Sequence, residues 1–530
     1  MKKTLLLLML ISGFSKSFGG YVSFKWSMTP LFQKSNSLYN KTTHEYSKDV
    51  MNFSAGWVVE FTTASGRSIP NPVYVWDIQG LGALSTYHRI YNTTSLPNLS
   101  TSKPLSNIKS VQNLNIDNTV KPKFAFKSKR KVPGEPQPPP NQEPLPPTWY
   151  KADRLPSLGR YKVTVTVSSA NKSNTETYTY TQTITLRNIV IACLGDSYAS
   201  GEGNPDTDGV AGGTDEIYCA NITLVQKYHG EESDFMDLDY PAGWFDIQAH
   251  RSFKSGYSLA ARQIEDMDPH STVTFINLSV SGAKIQDGLM QPQPNRPWMR
   301  KGQVGYLKEL VGDNKIDVLL LSIGGNDIGF ANILEFATKE KLDIPTETTY
   351  RNAIASLKES YLSLNLYLKD KFKIDHILIA EYPTHLFSNN YSIGRIDTIS
   401  GQVIDTTITN QFSCELFQEW TGRFSIHYPE ILRLNAIGEA LQTTRIEAAS
   451  QFNWLYAGGI ADKFKNHGYC SNADQSYWIQ ASYSCVNQGD TKGTMHPNPK
   501  GQAVIRQSIL EKLTPVLFPK VNWLDTTQSN

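Results

Sequence analysis

The sequence lacks a charge excess of either sign. It has 51 Lys and Arg against 49 Asp and Glu, a formal net charge of +2 over 530 residues. A chain balanced in this way is neither an acidic disordered coil nor a dedicated nucleic-acid binder, and no nucleic-acid partner is expected. Metal-ligand spacings are missing too: neither C-x-x-C nor H-E-x-x-H occurs, so no metal site and no cofactor are expected. There is no internal repeat, and beyond Ile11 no segment approaches the 18 apolar residues of a membrane span. The single long apolar run, Leu5 to Ile11, follows Lys2 and Lys3 and leads into small residues through Gly20. That order of basic, apolar and small residues reads as a signal peptide over 1–20, with an uncleaved N-terminal anchor as the alternative, and the expected location is secreted or periplasmic.

What is present points to strands and turns. Aromatic residues make up 11% of the chain, with 36 Gly and 28 Pro, and the length allows two to four domains. Five cysteines, at 193, 219, 414, 470 and 485, suit an oxidising compartment with two bridges and one thiol left over. Cys470 pairs with Cys485 and Cys219 with Cys414 in this reading, while Cys193, inside an apolar run, is a buried free thiol.

Residues 21–188 read as all-β. Gly159–Ser169 alternates apolar and polar, and after an Asn/Ser turn a second β-branched run follows from Thr175 to Leu186, the pattern of a hairpin. Trp57–Phe61 and Val73–Asp77 add strands. The Ala64-Ser65-Gly66 and Tyr74-Val75-Trp76-Asp77 stretches and the closing 159–167 strand resemble an immunoglobulin-like or PKD-type β-sandwich. An insertion over 90–150 ends in the proline-dense run 133–147, a stiff loop without its own core. The basic run Lys127 to Lys131 is a solvated loop, or an attachment to an anionic envelope or glycan surface.

After Asn188 the pattern changes. Apolar runs at Ile189–Leu194, Val273–Leu278, Val318–Ile323 and Ile377–Glu381 alternate with helical spacing over Arg251–Met267, Gln303–Val311 and Thr349–Phe372. Such alternation predicts a doubly wound α/β domain over 189–515, followed by a tail, 516–530. Ligands of such sheets bind beyond the carboxyl ends of the strands. There the first strand runs into Gly195-Asp196-Ser197, the second into Ser281-Gly282 and the third into Gly324-Gly325-Asn326-Asp327. Ser197, just past a strand in a Gly-rich turn, is the candidate nucleophile. Because position 199 is Ala, the G-x-S-x-G elbow does not serve as template, and the glycines also fail the phosphate-loop pattern. Gly282 and Asn326 can supply oxyanion donors, and His496, before a helix opened by Pro499, can return to the sheet as a general base.

These four blocks, Gly195-Asp196-Ser197, Gly282, Gly324-Gly325-Asn326 and His496-Pro497-Asn498, resemble those of the SGNH or GDSL-type serine ester hydrolases, in particular a secreted bacterial branch. The resemblance covers about residues 188–515. It implies a flavodoxin-like three-layer α/β/α domain after the all-β sandwich. It also implies an acyl-enzyme on Ser197, proton transfer by His496, and an oxyanion hole from Ser197, Gly282 and Asn326. The family usually carries an Asp three residues before the His, and here that position is Gly493. A backbone carbonyl or Asp490 is then the expected orienter. Asp196, Asp327 and Glu381 read as structural acceptors, and His250 and His467 as pocket-wall or structural histidines. The expected partner is an ester substrate, a lipid or an acylated glycan, and the expected state is monomeric. Substrate choice is assigned to the insertions 204–245, 383–430 and 452–492 and their aromatics Trp244, Phe245, Trp420, Tyr469, Tyr477 and Trp478. A carbohydrate O-acetylesterase and a catalytically silent surface-binding protein are the competing readings.

Overall fold

In the computed structural model, the alternating residues of Gly159–Ser169 pair antiparallel with the first half of a 19-residue strand, Thr177–Gly195. The structure describes residues 22–53, 56–65, 72–93, 149–169, 177–209, 242–338, 343–387, 426–469, 476–479, 484, 487–488 and 492–519, and short strand pairs between 407 and 423. The signal peptide 1–20, the proline-dense run, the basic run, Cys219, Cys414, Cys470, Cys485, Trp420, Asp490 and the tail from 520 lie outside these residues. Among the described residues no helix is long and apolar enough to cross a membrane, and no group of His, Cys, Asp and Glu could hold a metal ion.

The chain divides into two units, one of Met1–Ser27 and Val58–Leu186, the other of Met28–Trp57 and Arg187–Asn530. In the first, β1 (Val22–Met28), β2 (Trp57–Ser65) and β5 (Trp149–Leu155) form a three-stranded sheet in the order β1-β2-β5. β3 (Pro72–Gly80), β4 (His88–Thr93), β6 (Gly159–Ser169) and the start of β7 (Thr177–Gly195) pair antiparallel in the order β4-β3-β6-β7. Alternation puts Trp76, Val163, Val165 and Val167 on one buried face. Phe24 meets Phe61 and Trp76 there, ring centroids 5.8 and 5.5 Å apart.

In the second unit the end of β7 pairs in parallel with β8 (Ser271–Asn277) and β9 (Ile316–Ser322), and β9 with β10 (Ile374–Ala380), which pairs with β11 (Leu455–Ala457). β8 and β9 are buried along their whole length, as strands covered on both faces must be. Among the described residues the α-helices are α1 (Phe32–Ser37), α2 (Ser197–Ser200), α3 (Gly256–Met267), α4 (Gln303–Val311), α5 (Phe330–Thr338), α6 (Ile344–Lys371), α7 (Tyr428–Phe452), α8 (Ile460–Phe464) and α9 (Pro499–Leu517). α9 packs on α3, and α6 on α7. Cys193 is buried and free, and burial pushes its thiol well above the ordinary range.

Two expectations are corrected. The implied flavodoxin-like, all-parallel SGNH sheet is instead mixed, because β7 is long enough to pair antiparallel with β6 before it pairs in parallel with β8 and β9. The hydrogen-bonded order is β11-β10-β9-β7-β6-β3-β4, with β8 also on β7. For the same reason no separate immunoglobulin-like domain is seen among the described residues: the sheet that carries β4, β3 and β6 continues through β7. What holds is the coarser description, a mixed sheet flanked by helices. Residues 28–57 also cluster with the second unit rather than with the expected β region. The Glu265 carboxylate accepts from the N–H groups of Leu31 (2.7 Å), Phe32 (3.1 Å) and Val273 (2.9 Å), and Phe32 stacks on Phe275.

Candidate active site

Gly195 ends β7 in a tight corner. Its N–H donates to Gln303 Oε1 and its carbonyl accepts from Gln303 Nε2, both at 2.8 Å, and the same carbonyl also accepts from the Val280 N–H at 3.0 Å, so both backbone groups are satisfied where the strand ends. Asp196 then caps α2, accepting from the Tyr198 N–H at 3.1 Å. The same carboxylate accepts from the Ser322 hydroxyl at 2.9 Å and from the Tyr382 hydroxyl. Burial pushes Asp196 up to about 6, against the hydrogen bonds of Tyr382 and Ser322 and the charge of Arg445. Arg445 lies over the Tyr382 ring, 3.7 Å from its centroid. Asp196 therefore ties the Ser197 turn to the ends of β9 and β10.

Ser197 follows, with its hydroxyl 2.8 Å from His496 Nε2. The other ring nitrogen, Nδ1, lies 3.3 Å from the carbonyl of Thr494. With Nδ1–H donating to that carbonyl, Nε2 is left as the acceptor for the serine proton. Asn498 caps α9 by accepting from the N–H groups of Lys500 and Gly501, which holds the His496 loop at the strand ends. Burial lowers the imidazole below its ordinary value, partly offset by the Glu202 carboxylate and the Thr494 and Gly493 carbonyls.

The structure brings all four blocks together. Ser197, Gly282, Asn326 and His496 line one cavity of about 180 Å³. Among the described residues the N–H groups of Ser197 and Gly282 make no hydrogen bond, and Gly282 holds φ at +81°. Asn326 Nδ2 donates one proton to the Ala283 carbonyl at 3.0 Å, and its second proton remains for a ligand. The lining also includes the apolar Ile328, Phe330, Ile333 and, from α7, Leu434, Ile437 and Leu441, beside the polar Ser281, Tyr382, Thr384, His385 and Asn435.

The remaining candidates are placed elsewhere. Asp327 accepts from the Ile285 N–H at 3.0 Å, and burial pushes it up to about 6; Glu381 accepts from the N–H groups of Ile460 and Ala461 at the start of α8. His467 stacks on Tyr477 with centroids 3.7 Å apart. The aromatics assigned to substrate are mostly core: Phe245, Tyr469 and Trp478 are buried, and Trp244 stacks on His250. None of these lines the cavity. They are loop residues in sequence, but the loops fold back and bury them against neighbouring rings. The cavity walls come instead from α5, from 382–387 and from α7, whose i, i+3, i+7 stripe looks from sequence like any core face. Glu202, fully buried beside His250, was visible only as part of a Gly-rich turn.

No family model and no curated protein matches the chain. Among solved structures, phospholipase A1 from Streptomyces albidoflavus NA297 aligns at 18% identity over 61% of this chain and 98% of its own, with a TM-score of 0.37. An extracellular lipase from Streptomyces rimosus aligns at 17% identity over 61% and 99%, with a TM-score of 0.35. An α/β hydrolase from the Lake Arreo metagenome aligns at 12% identity over 61% and 94%, with a TM-score of 0.26. At such scores the likeness carries no functional argument, and the motif resemblance gains no family assignment from it. The chemistry of this chain is read from its own site: a serine hydroxyl 2.8 Å from an imidazole nitrogen, in a cavity that Gly282 and Asn326 also line.

Proposed function

We propose that the chain is a serine ester hydrolase of lipase or carboxylesterase type, acting outside the cytoplasm. The observation that carries the reading is the 2.8 Å contact of Ser197 Oγ with His496 Nε2 inside the cavity that Gly282 and Asn326 also line. His496 takes the Ser197 proton as the hydroxyl oxygen attacks the ester carbonyl. The N–H groups of Ser197 and Gly282 and the free Asn326 amide proton hold the resulting oxyanion. His496 then passes its proton to the leaving alcohol and activates the water that releases the acid.

The apolar walls favour an acyl chain over an acetyl group on a glycan. Each buried methylene contributes about 0.8 kcal/mol, so kcat/KM is expected to rise roughly tenfold from p-nitrophenyl acetate to the butyrate and to keep rising until the cavity is filled. A maximum at acetate would instead support an O-acetylesterase. Folded protein that turns over no ester of the series would support the surface-binding reading.

Replacing Asn326 with Ala is expected to lower kcat by about a hundred- to a thousandfold with little change in KM, because the donor acts on the oxyanion and not on the ground-state carbonyl. Steady-state kinetics on the butyrate ester, with a thermal melt to control for the lost Ala283 contact, checks this. An unchanged kcat would remove Asn326 from the oxyanion site.

A further inference from the structure

The position that would carry the missing acid has no room for one. A Cβ on Gly493 would lie 2.6 Å from the Cα of Gly203, 2.7 Å from Ser484 Oγ and 2.8 Å from Gln488 Oε1. The space beside His496 is already taken by the 201–204 turn and by the Gln488 amide. That turn carries Glu202, which is fully buried. Its N–H donates to the Ser197 carbonyl at 3.1 Å, so it is anchored to the nucleophile's own backbone. On its other side, Asn204 Nδ2 donates to the carbonyl of Pro497, the residue after His496, at 2.9 Å.

The carboxylate is held from several directions. His250 Nδ1 lies 2.6 and 2.7 Å from its two oxygens, Gln488 Nε2 donates to Oε1 at 2.6 Å, and the Ser281 side chain also bonds it. A buried carboxylate is costly unless it is paired, and this one is held by donors on three separate segments. None of the four blocks accounts for it. Its neighbours in the fold are the nucleophile's backbone, the base and the Ser281–Gly282 turn.

We infer that Glu202, clamped by His250 and Gln488, is the positioning residue that stabilises the charged form of His496 in place of an acid at 493. The inference rests on the Ser197–His496 reading. In the fold, Thr494 selects the tautomer through its carbonyl, and Glu202 supplies the negative charge, so the two tasks usually joined in one carboxylate are divided between two groups. Burial alone would raise the Glu202 carboxyl, but His250, through charge and hydrogen bond, and His496, through charge, hold it below the ordinary carboxylate range. The groups facing His496 are Glu202, His250, the Tyr198 ring, Ser197 and the carbonyls of Thr494 and Gly493. Of these Glu202 raises the imidazole by charge and His250 lowers it.

The sign follows. His496 works as a base in its neutral form, so kcat/KM falls as pH drops through its pKa. Removing the carboxylate lowers that pKa, which moves the acid limb to lower pH while weakening the base. For Glu202→Gln the expected result is a kcat lower by on the order of 10- to 100-fold with KM little changed, and an acid limb displaced to lower pH by about one unit. Glu202→Asp, which keeps the charge, is expected to keep the limb of the wild type. A folded Glu202→Gln with wild-type kcat and limb would overturn the inference. If Glu202→Gln fails to fold, Glu202→Asp decides: a limb displaced although the charge is retained would overturn the inference, and a retained limb with a lowered kcat supports it. Ser197→Ala is assayed in parallel. Residual hydrolysis equal to wild type there removes the catalytic reading itself, whereas an inactive Ser197→Ala beside an unperturbed Glu202→Gln removes this inference alone.

Discussion

Replacing Ser197 by Ala is expected to lower ester hydrolysis by about ten-thousandfold to a millionfold, and adding His496→Ala to that variant is expected to cost little more. In the proposed mechanism the 2.8 Å contact makes the two residues one functional unit: without the hydroxyl the imidazole has no proton to take, and without the imidazole the hydroxyl is a poor nucleophile at neutral pH. The donors of Gly282 and Asn326 and the apolar walls remain in both variants, so some rate above water should survive. Single and double variants compared on the same p-nitrophenyl butyrate assay test this, with circular dichroism to establish that each is folded. Losses that multiply, so that the double variant is far worse than either single one, would mean that Ser197 and His496 act separately and that the contact is incidental.

Gly195→Ala is expected to destabilise the protein by more than about 4 kcal/mol, with a fall in thermal midpoint on the order of 5 °C. Gly195 holds φ at +152°, and a Cβ there would sit 2.3 Å from the carbonyl oxygen of Ser322 and 3.0 Å from its nitrogen. These are backbone atoms of the paired strand β9, in register with Gly195, so no side chain can swing away to make room. Relief requires β7 and β9 to part where one leads to Ser197 and the other to Asn326, and activity should fall with stability. Gly312→Ala is the control: its φ is +58°, nothing lies within 4 Å of a Cβ, and the cost should be about 1 kcal/mol. Equal melting of the two variants would remove the close approach at Gly195 as a determinant of the site.

Much of the site was legible because its chemistry sits in short local patterns. A serine after a strand and an early Asp–Ser turn are readable in a few residues, and so is a late His before a Pro-opened helix. The strands around them were readable because fully buried runs such as Ile189–Leu194 tolerate little besides aliphatic residues. The α4 span Gln303–Val311 agrees with its helical spacing, and α6 runs Ile344–Lys371, starting earlier than its spacing because Asp343 caps it. The all-parallel sheet and the separate sandwich were misread for one reason. The Thr-rich stretch ending at Leu186 and the aliphatic stretch from Ile189 have different compositions, and composition suggested a boundary where the backbone runs on as one strand.

By itself the sequence determined which residues could do chemistry and in what order they occur, since reactive side chains and turn glycines carry their meaning locally. The tertiary structure alone decided what surrounds them. Gly493 is explained by Gly203, which is 290 residues away in the chain. The aromatic loops turn inward, and the cavity wall comes from α7. Each of these depends on long-range packing, where the partner that fills a space is set by the whole fold and not by neighbours in sequence.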